Sequence, residues 1–313
     1  MKNRNLFAWA LLAFGFVSCE KEATDVSPFV INGITMENYP KTDGSTTTIG
    51  LRNLIACKLL GFKYDWAGSS SDGAYSIYPA EVVPDRYYEC ITMSKTHDSF
   101  IRLIDGEVDL IFTARVMSGD EKAYAADLGV TLIETPIALD AFIFITNPQN
   151  PVRSLSTNQI RNIYTGKVTN WKQVGGKDAE IHPYRRNSNS GSQELMESLV
   201  MKDLTMMDFP LEYNLFGMGV VYNQIGSDVD GLCYSIHYYD KFMVRDKTAK
   251  AIAVDGVFPD QNALRNKYYP YTTDVYAVIR SDMDRTSPAF GIYYLLLSEA
   301  GKYVIEESGY IPN

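Results

Sequence analysis

Residues 184–201, Tyr184-Arg-Arg-Asn-Ser-Asn-Ser-Gly-Ser-Gln-Glu-Leu-Met-Glu-Ser-Leu-Val-Met201, join two kinds of chemistry in one stretch. Arg185 to Ser192 is small, polar and cationic, with Gly191 near its end. Leu195, Met196, Leu199 and Val200 then recur on one helical face. Ser188, Ser190 or Ser192 stands where that helix would be capped, and Glu194 suits its positive end. The first N–H groups of a helix have no intrahelical partner. Beside an arginine they make a socket for a tetrahedral oxyanion. The same residues also read as a capped surface helix with a polar entry loop.

Two further stretches repeat the design. Thr42-Asp-Gly-Ser-Thr-Thr-Thr48 precedes a helical pattern through Leu51, Leu54, Ile55, Leu59 and Leu60, stopped by Gly61. Ser94-Lys-Thr-His-Asp-Ser99 precedes Phe100, Ile101, Leu103 and Ile104. In parallel α/β folds helix N-termini point to the carboxyl ends of strands, where ligands bind. Three such openings, if they converge, surround one small anion with N–H groups and hydroxyls.

The elements that must position them read as strands alternating with helices, which predicts a parallel-rich α/β architecture. Strands are expected over 29–39, 87–93, 108–113, 130–134, 137–146, 181–185, 231–238, 250–254 and 276–279. Helices are expected over 118–128, opened by the Ser118-Gly-Asp-Glu121 capping box, over 156–164 and over 218–225. One terminal helix is expected from 290 to 306. Residues 64–79, rich in Ser, Gly and Tyr, read as an exposed loop.

The chain has 313 residues, 46% hydrophobic and 21% charged, enough for two domains of a soluble globular protein. Its net charge of −9 argues against a nucleic-acid partner, which needs basic patches. It does not exclude an anion ligand, since local dipoles and one arginine outweigh distant charge. Lys2, Arg4 and the apolar run 6–17 read as a signal peptide over residues 1–18. Phe16-Val-Ser-Cys19 resembles a bacterial lipobox, with Cys19 lipidated and residues 19–29 as a tether; Phe16 departs from the usual leucine. Cys57, Cys90 and Cys233 lack CxxC spacing and read as small buried residues, at least one of them free or paired with another chain. The 3 histidines form no HExxH pattern, so neither a metal nor a cofactor is expected.

Over residues 40–313 the chain resembles the PstS-type substrate-binding proteins of phosphate ABC importers. The resemblance rests on Asp43-Gly-Ser-Thr-Thr47, Thr96-His-Asp-Ser-Phe100, Gly106-Glu-Val-Asp-Leu110, Ala114-Arg-Val-Met-Ser118, Pro136-Ile-Ala-Leu-Asp-Ala141 and Asn150-Pro-Val152. It continues through Gln159-Ile-Arg-Asn-Ile-Tyr-Thr-Gly166, Asn170-Trp-Lys-Gln-Val-Gly-Gly176, Arg186-Asn-Ser-Asn-Ser-Gly-Ser-Gln193 and Ala253-Val-Asp-Gly256. It implies a two-lobe α/β fold like the periplasmic binding proteins, with crossing strands and a central ligand cleft. One lobe would hold residues 30–136 and 270–313, the other 137–269.

By the same resemblance the ligand is inorganic phosphate and the partner a membrane ABC permease. The protein would be a monomer, lipid-anchored in the bacterial envelope, and no enzyme. Ligand-binding residues would be Ser45, Thr46, Thr47, Thr96 or His97, Arg186, Ser190, Gly191 and Ser192. The family often carries an aspartate where this chain has Ala114. Such a carboxylate would accept the proton phosphate retains and would repel sulfate. Asp140, Asp43 or neutral His97 could substitute as acceptor, and Arg115 reads as a second anion ligand or a surface charge. A receptor or sensor for another oxyanion or a phosphorylated metabolite is the alternative.

Overall fold

The structure is a computed structural model that describes residues 28–68 and 74–313. The signal peptide, Cys19 and the tether up to residue 27 lie outside the described residues. No strand forms over 29–39; the chain turns there and enters the sheet at β1 (Thr42–Gly44). A 3₁₀ turn over Thr46–Thr48 then opens helix α1 (Ile49–Leu60), which ends at Gly61 in the left-handed region, φ 78°. The first nine residues of α1 are all buried, so this helix is covered on every side rather than lying on a surface.

The presumed loop at 64–79 is a hairpin of β2 (Tyr64–Gly68) and β3 (Tyr75–Pro79). Its aromatic residues hold it down, Trp66 stacking on Tyr75 and Phe242. The expected strand at 87–93 is instead α2 (Asp85–Cys90). Pro84 presets its entry, and Tyr87 and Cys90 turn inward one helical turn apart. Then follow α3 (Thr96–Ile104), β4 (Leu110–Thr113) and α4 (Gly119–Asp127), the last opened by the Ser118–Glu121 capping box as its spacing predicts.

The two strands expected at 130–146 are one fifteen-residue strand, β5 (Leu132–Thr146). Pro136 lies within it without ending it, because the register slips there: Tyr276 faces Pro136 and Val275 faces Ala138. A bulge of this kind absorbs a residue that has no N–H to give the ladder. After it come β6 (Ser154–Leu155), α5 (Thr157–Tyr164), β7 (His182–Pro183), β8 (Arg185–Arg186) and α6 (Gly191–Leu195). The chain continues through β9 (Asn214–Leu215), α7 (Met218–Ser227), β10 (Gly231–Ile236), β11 (Lys250–Val254), α8 (Gln261–Arg265) and β12 (Thr272–Arg280). It closes with α9 (Pro288–Leu296), α10 (Glu299–Glu307) and β13 (Ile311–Pro312). The single terminal helix expected is thus two, since Ser298 Oγ accepts from the Gly301 N–H and starts a new one.

The nine-stranded sheet is mixed rather than parallel-rich. Parallel pairs join β1 to β4, β7 to β10 and β6 to β11, while every partner of β5 is antiparallel to it. The alternation of strands and helices was real, but the antiparallel partners of β5 come from distant segments, and pairing direction is not a local property. β5 also changes company along its length. Residues up to Ala141 pair with β12, and residues from Phe142 pair with β10 and β11. Just past that exchange lies an aromatic core of Phe142, Phe144, Tyr164, Tyr234 and Tyr271. Edge and tilted ring contacts of this kind stabilise by roughly 0.5–1.5 kcal/mol each beyond the area they bury.

Candidate oxyanion-binding site

The first opening follows β1. Gly44 must pass so close to β4 that a Cβ there would lie 2.0 Å from the Phe112 carbonyl oxygen. The Ser45 N–H then donates to that same oxygen, and Ser45 O accepts from Thr48 N and Oγ1. This tight turn leaves the Thr46 and Thr47 N–H groups in the first turn of a helix, without intrahelical partners. Thr47 Oγ1 is buried and has no hydrogen-bond partner.

The second opening is braced against the first. Buried Asp43 accepts from Gly44 N at 2.7 Å and Ser94 N at 2.8 Å through one oxygen. Its other oxygen takes Ser94 Oγ and Arg102. The carboxylate proposed as a ligand acceptor is therefore consumed in tying the two loops together. Lys95 follows with φ 75°, unusual for a non-glycine residue, and starts α3 at Thr96. Ser45 Oγ lies 2.8 Å from Thr96 Oγ1 and accepts from the Ala114 N–H at 3.1 Å.

The third opening comes from β8. The Arg186 N–H donates to Tyr234 OH and Gln193 Oε1, its Nε to Leu215 O at 3.0 Å and its Nη1 to Met218 Sδ at 3.1 Å. The side chain is 4% exposed and makes no ion pair with a carboxylate among the described residues. Burial pulls its pKa below the ordinary guanidinium value. Of the three serines placed to cap the next helix, Ser190 does so, its Oγ accepting from Gln193 N. Gly191 then touches the second opening: a Cβ there would lie 2.7 Å from Thr96 Oγ1.

The three openings meet around a cavity of about 70 Å³. Ser45, Thr46, Thr47, Thr96, Arg186, Ser190, Gly191 and Ser192 all line it, as does Ala114. Five further lining residues were not assigned to the site from the sequence: Lys95, Leu195, Gly217, Met218 and Ile236. Lys95 lay inside a stretch already singled out and could have been found there. Met218 is brought in by α7 from a separate segment and carried no signal.

His97 and Asp140 do not line the cavity. His97 Nδ1 turns to Glu121 Oε1 at 3.0 Å. Glu121 also holds Arg115 by two contacts of 2.8 Å, so Arg115 is a buried structural cation, neither anion ligand nor surface charge. Asp140 is 1% exposed and lies elsewhere, near His237, Tyr238 and Tyr310. Its Oδ1 accepts from Ala141 N and Tyr238 N, Oδ2 has no partner, and burial pushes its pKa up to about 7. Cys57, Cys90 and Cys233 are buried and all three are free. A larger cleft of about 570 Å³ lies near Lys41, Arg86, Asp109 and Arg280, where Arg280 already pairs with Asp282 and Arg86 with backbone carbonyls.

Fold and cavity together define an α/β protein with a small cavity lined by helix starts, hydroxyls and one buried arginine. Residues 90–296 match the family model described as the PBP superfamily domain, and the chain belongs to that superfamily. The match includes Thr96 and the 186–192 stretch but begins after the first opening. Among curated relatives, protein SphX of Synechococcus elongatus is 24% identical over 266 residues, covering 78% of this chain and 77% of that one. The phosphate-binding protein PstS of Borreliella burgdorferi is 26% identical over 213 residues, covering 66% and 75%. Among solved structures, an ABC-type phosphate transport receptor from Vibrio cholerae superposes with a TM-score of 0.61 at 21% identity, over 87% of this chain and 99% of that one. PstS from Borrelia burgdorferi superposes with a TM-score of 0.52 at 19% identity, over 87% and 98%. The resemblance to PstS-type proteins and the expected fold class are borne out.

Proposed function

We propose that this chain is an extracytoplasmic solute-binding lipoprotein that captures inorganic phosphate between two lobes and delivers it to an ABC importer. The observation that carries the reading is the Arg186 guanidinium, buried in a cavity of about 70 Å³ with no carboxylate to neutralise it. A buried charge is costly unless paired. A small anion is the partner that fits. A water occupies roughly 30 Å³ and typical organic-ligand pockets span about 300–1,000 Å³. The cavity therefore suits a group the size of an inorganic oxyanion. The name of the Borreliella burgdorferi relative, phosphate-binding protein PstS, points the same way.

The lobes are those of residues 30–136 with 270–313, and 137–269. What supports this division is the exchange of β5 partners at Ala141 and Phe142, a few residues beyond the boundary expected. Ser45, Thr46, Thr47 and Thr96 then belong to one lobe, and Arg186, Ser190, Gly191 and Ser192 to the other. An anion held by both favours closure by its differential affinity for the closed state. The permease would recognise that closed form. Neither histidine nor carboxylate lines the cavity, so nothing there is poised to activate a nucleophile, and binding rather than catalysis is the function. No helix among the described residues is long and apolar enough to cross a membrane; what supports anchoring of a monomer through lipid on Cys19 is the lipobox-like Phe16-Val-Ser-Cys19.

The test is calorimetric titration with phosphate of purified protein and its Arg186→Ala variant. One site per chain in the parent, weakened at least about a hundredfold in the variant, is expected from losing charge-assisted bonds of roughly 1.5–3 kcal/mol each. No heat in the parent would sink the assignment.

A further inference from the structure

The polarity of the cavity wall carries a second conclusion, which rests on the cavity being the anion site. Seven backbone carbonyls of the three openings are already engaged. Ser45 O takes Thr48, Thr46 O takes the Ile49 N–H, and Thr47 O takes the Tyr310 hydroxyl at 3.0 Å. Lys95 O takes Ser99 N, and Thr96 O takes Ser99 Oγ. On the other side Ser190 O accepts from Gln193 N and Glu194 N, and Ser192 O from Met196 N.

The donors are left over. Ser45 Oγ and Thr96 Oγ1 share one hydrogen bond, so whichever donates, one proton of the pair remains for the cavity. Ser190 Oγ spends a lone pair on Gln193 N and keeps its proton. Thr47 Oγ1 is 3% exposed as a residue and unpartnered. Arg186 and Lys95 are donors in every state. Ser192 Oγ faces the Met218 sulfur at 3.6 Å, and a thioether is a weak acceptor. No Asp, Glu or His lines the cavity, and the position nearest the Ser45 hydroxyl on β4's side is Ala114.

We infer that this oxyanion site, with no carboxylate or imidazole among its lining residues, takes sulfate-class anions, carrying no proton, as readily as phosphate. A site rejects an unprotonated oxyanion when it holds an acceptor that the ligand must satisfy, because an acceptor left unpaired or facing a like charge is penalised. Here sulfate leaves nothing unpaired. Phosphate, which keeps a proton near neutral pH, gains nothing in exchange. Its P–OH meets only neutral hydroxyl oxygens, which accept it without the negative charge that would set phosphate apart from sulfate.

The experiment titrates purified protein and its Ala114→Asp variant with sodium phosphate and with sodium sulfate at fixed ionic strength. The parent is expected to bind the two anions within about tenfold of each other. Ala114→Asp is expected to weaken sulfate more than phosphate by at least about tenfold, since the new carboxylate accepts the phosphate proton and repels sulfate. Thermal melts of both proteins check that the variant folds, and the parent's ratio stands without it. Tight phosphate binding with sulfate a hundredfold or more weaker in the parent overturns the inference and leaves the phosphate reading intact. Failure of both anions to bind overturns both.

Discussion

Gly191→Ala separates ligand binding from stability. The glycine starts α6 and has no positive φ, so an alanine there is not strained in its backbone. It should even favour the fold slightly, since Gly→Ala at a compatible helical position stabilises by up to about 1 kcal/mol. The obstacle is on the other side of the cavity. The added carbon would lie 2.7 Å from Thr96 Oγ1 and 3.4 Å from Thr96 Cβ. Ordinary contact is near 3.5 Å, so the two openings must part by roughly 0.5–1 Å or Thr96 must rotate away from Ser45. Either response carries one or two donors beyond the roughly 3.2 Å limit of a good hydrogen bond to the anion. At about 1.5–3 kcal/mol for each charge-assisted bond, the loss is about 2–4 kcal/mol, or roughly 30- to 1,000-fold in Kd.

The assay is titration with phosphate alongside thermal unfolding of the ligand-free protein. Expected are an unchanged or raised Tm without ligand and a binding loss in that range. A double-mutant cycle with Thr96→Ala localises the cause. With the Thr96 hydroxyl gone, the nearest obstacle to the new Cβ is the Cβ of residue 96 at 3.4 Å, and adding the alanine should cost little more. A Kd within threefold of the parent, or an equal Gly191→Ala penalty in the Thr96→Ala background, would refute the reasoning.

Two other substitutions test residues that the cavity does not use. Asp140 has its folded pKa raised to about 7 by burial, above the ordinary carboxylate value. The unfolded chain releases the proton first, so this group weakens the fold as pH rises from about 4 to about 7 and makes no further difference above. Up to about 4 kcal/mol is at stake. Asp140→Asn should remove that slope in urea melts and raise stability at pH 8; identical pH slopes in the two proteins would contradict the account. Arg115→Ala leaves Glu121, fully buried, without its bidentate partner and should destabilise by about 3–5 kcal/mol. Any protein that still folds should bind phosphate within a few-fold of the parent, and a binding loss as large as that of Arg186→Ala would return Arg115 to the anion site.

Much of the site was legible in the residues because oxyanion sockets are built from local chemistry. A glycine-containing polar run before a helix dictates where N–H groups go unpaired, and a Ser or Thr at its edge dictates the cap. The capping box at Ser118, the stop at Gly61 and the cap at Ser190 all follow such rules. Eight of the ten expected ligand residues therefore line one cavity. His97 and Asp140 were misplaced because a side chain's destination depends on what packs opposite. His97 stands one residue after the cavity-lining Thr96 yet turns to Glu121, and Asp140 accepts from the Tyr238 N–H away from the cavity.

By itself, then, the sequence determined the local units: helix starts and stops, the alternating strands, the cationic turn and the exported class of protein they suggest. The tertiary structure decided what those units meet. It alone made 132–146 one strand with two sets of partners, gave Arg115 to Glu121 and brought Met218 to the cavity. The physical reason is separation along the chain. A cap or a turn is settled within about four residues, whereas a charge pair, a pairing direction or the polarity of a cavity wall is settled between segments tens to hundreds of residues apart.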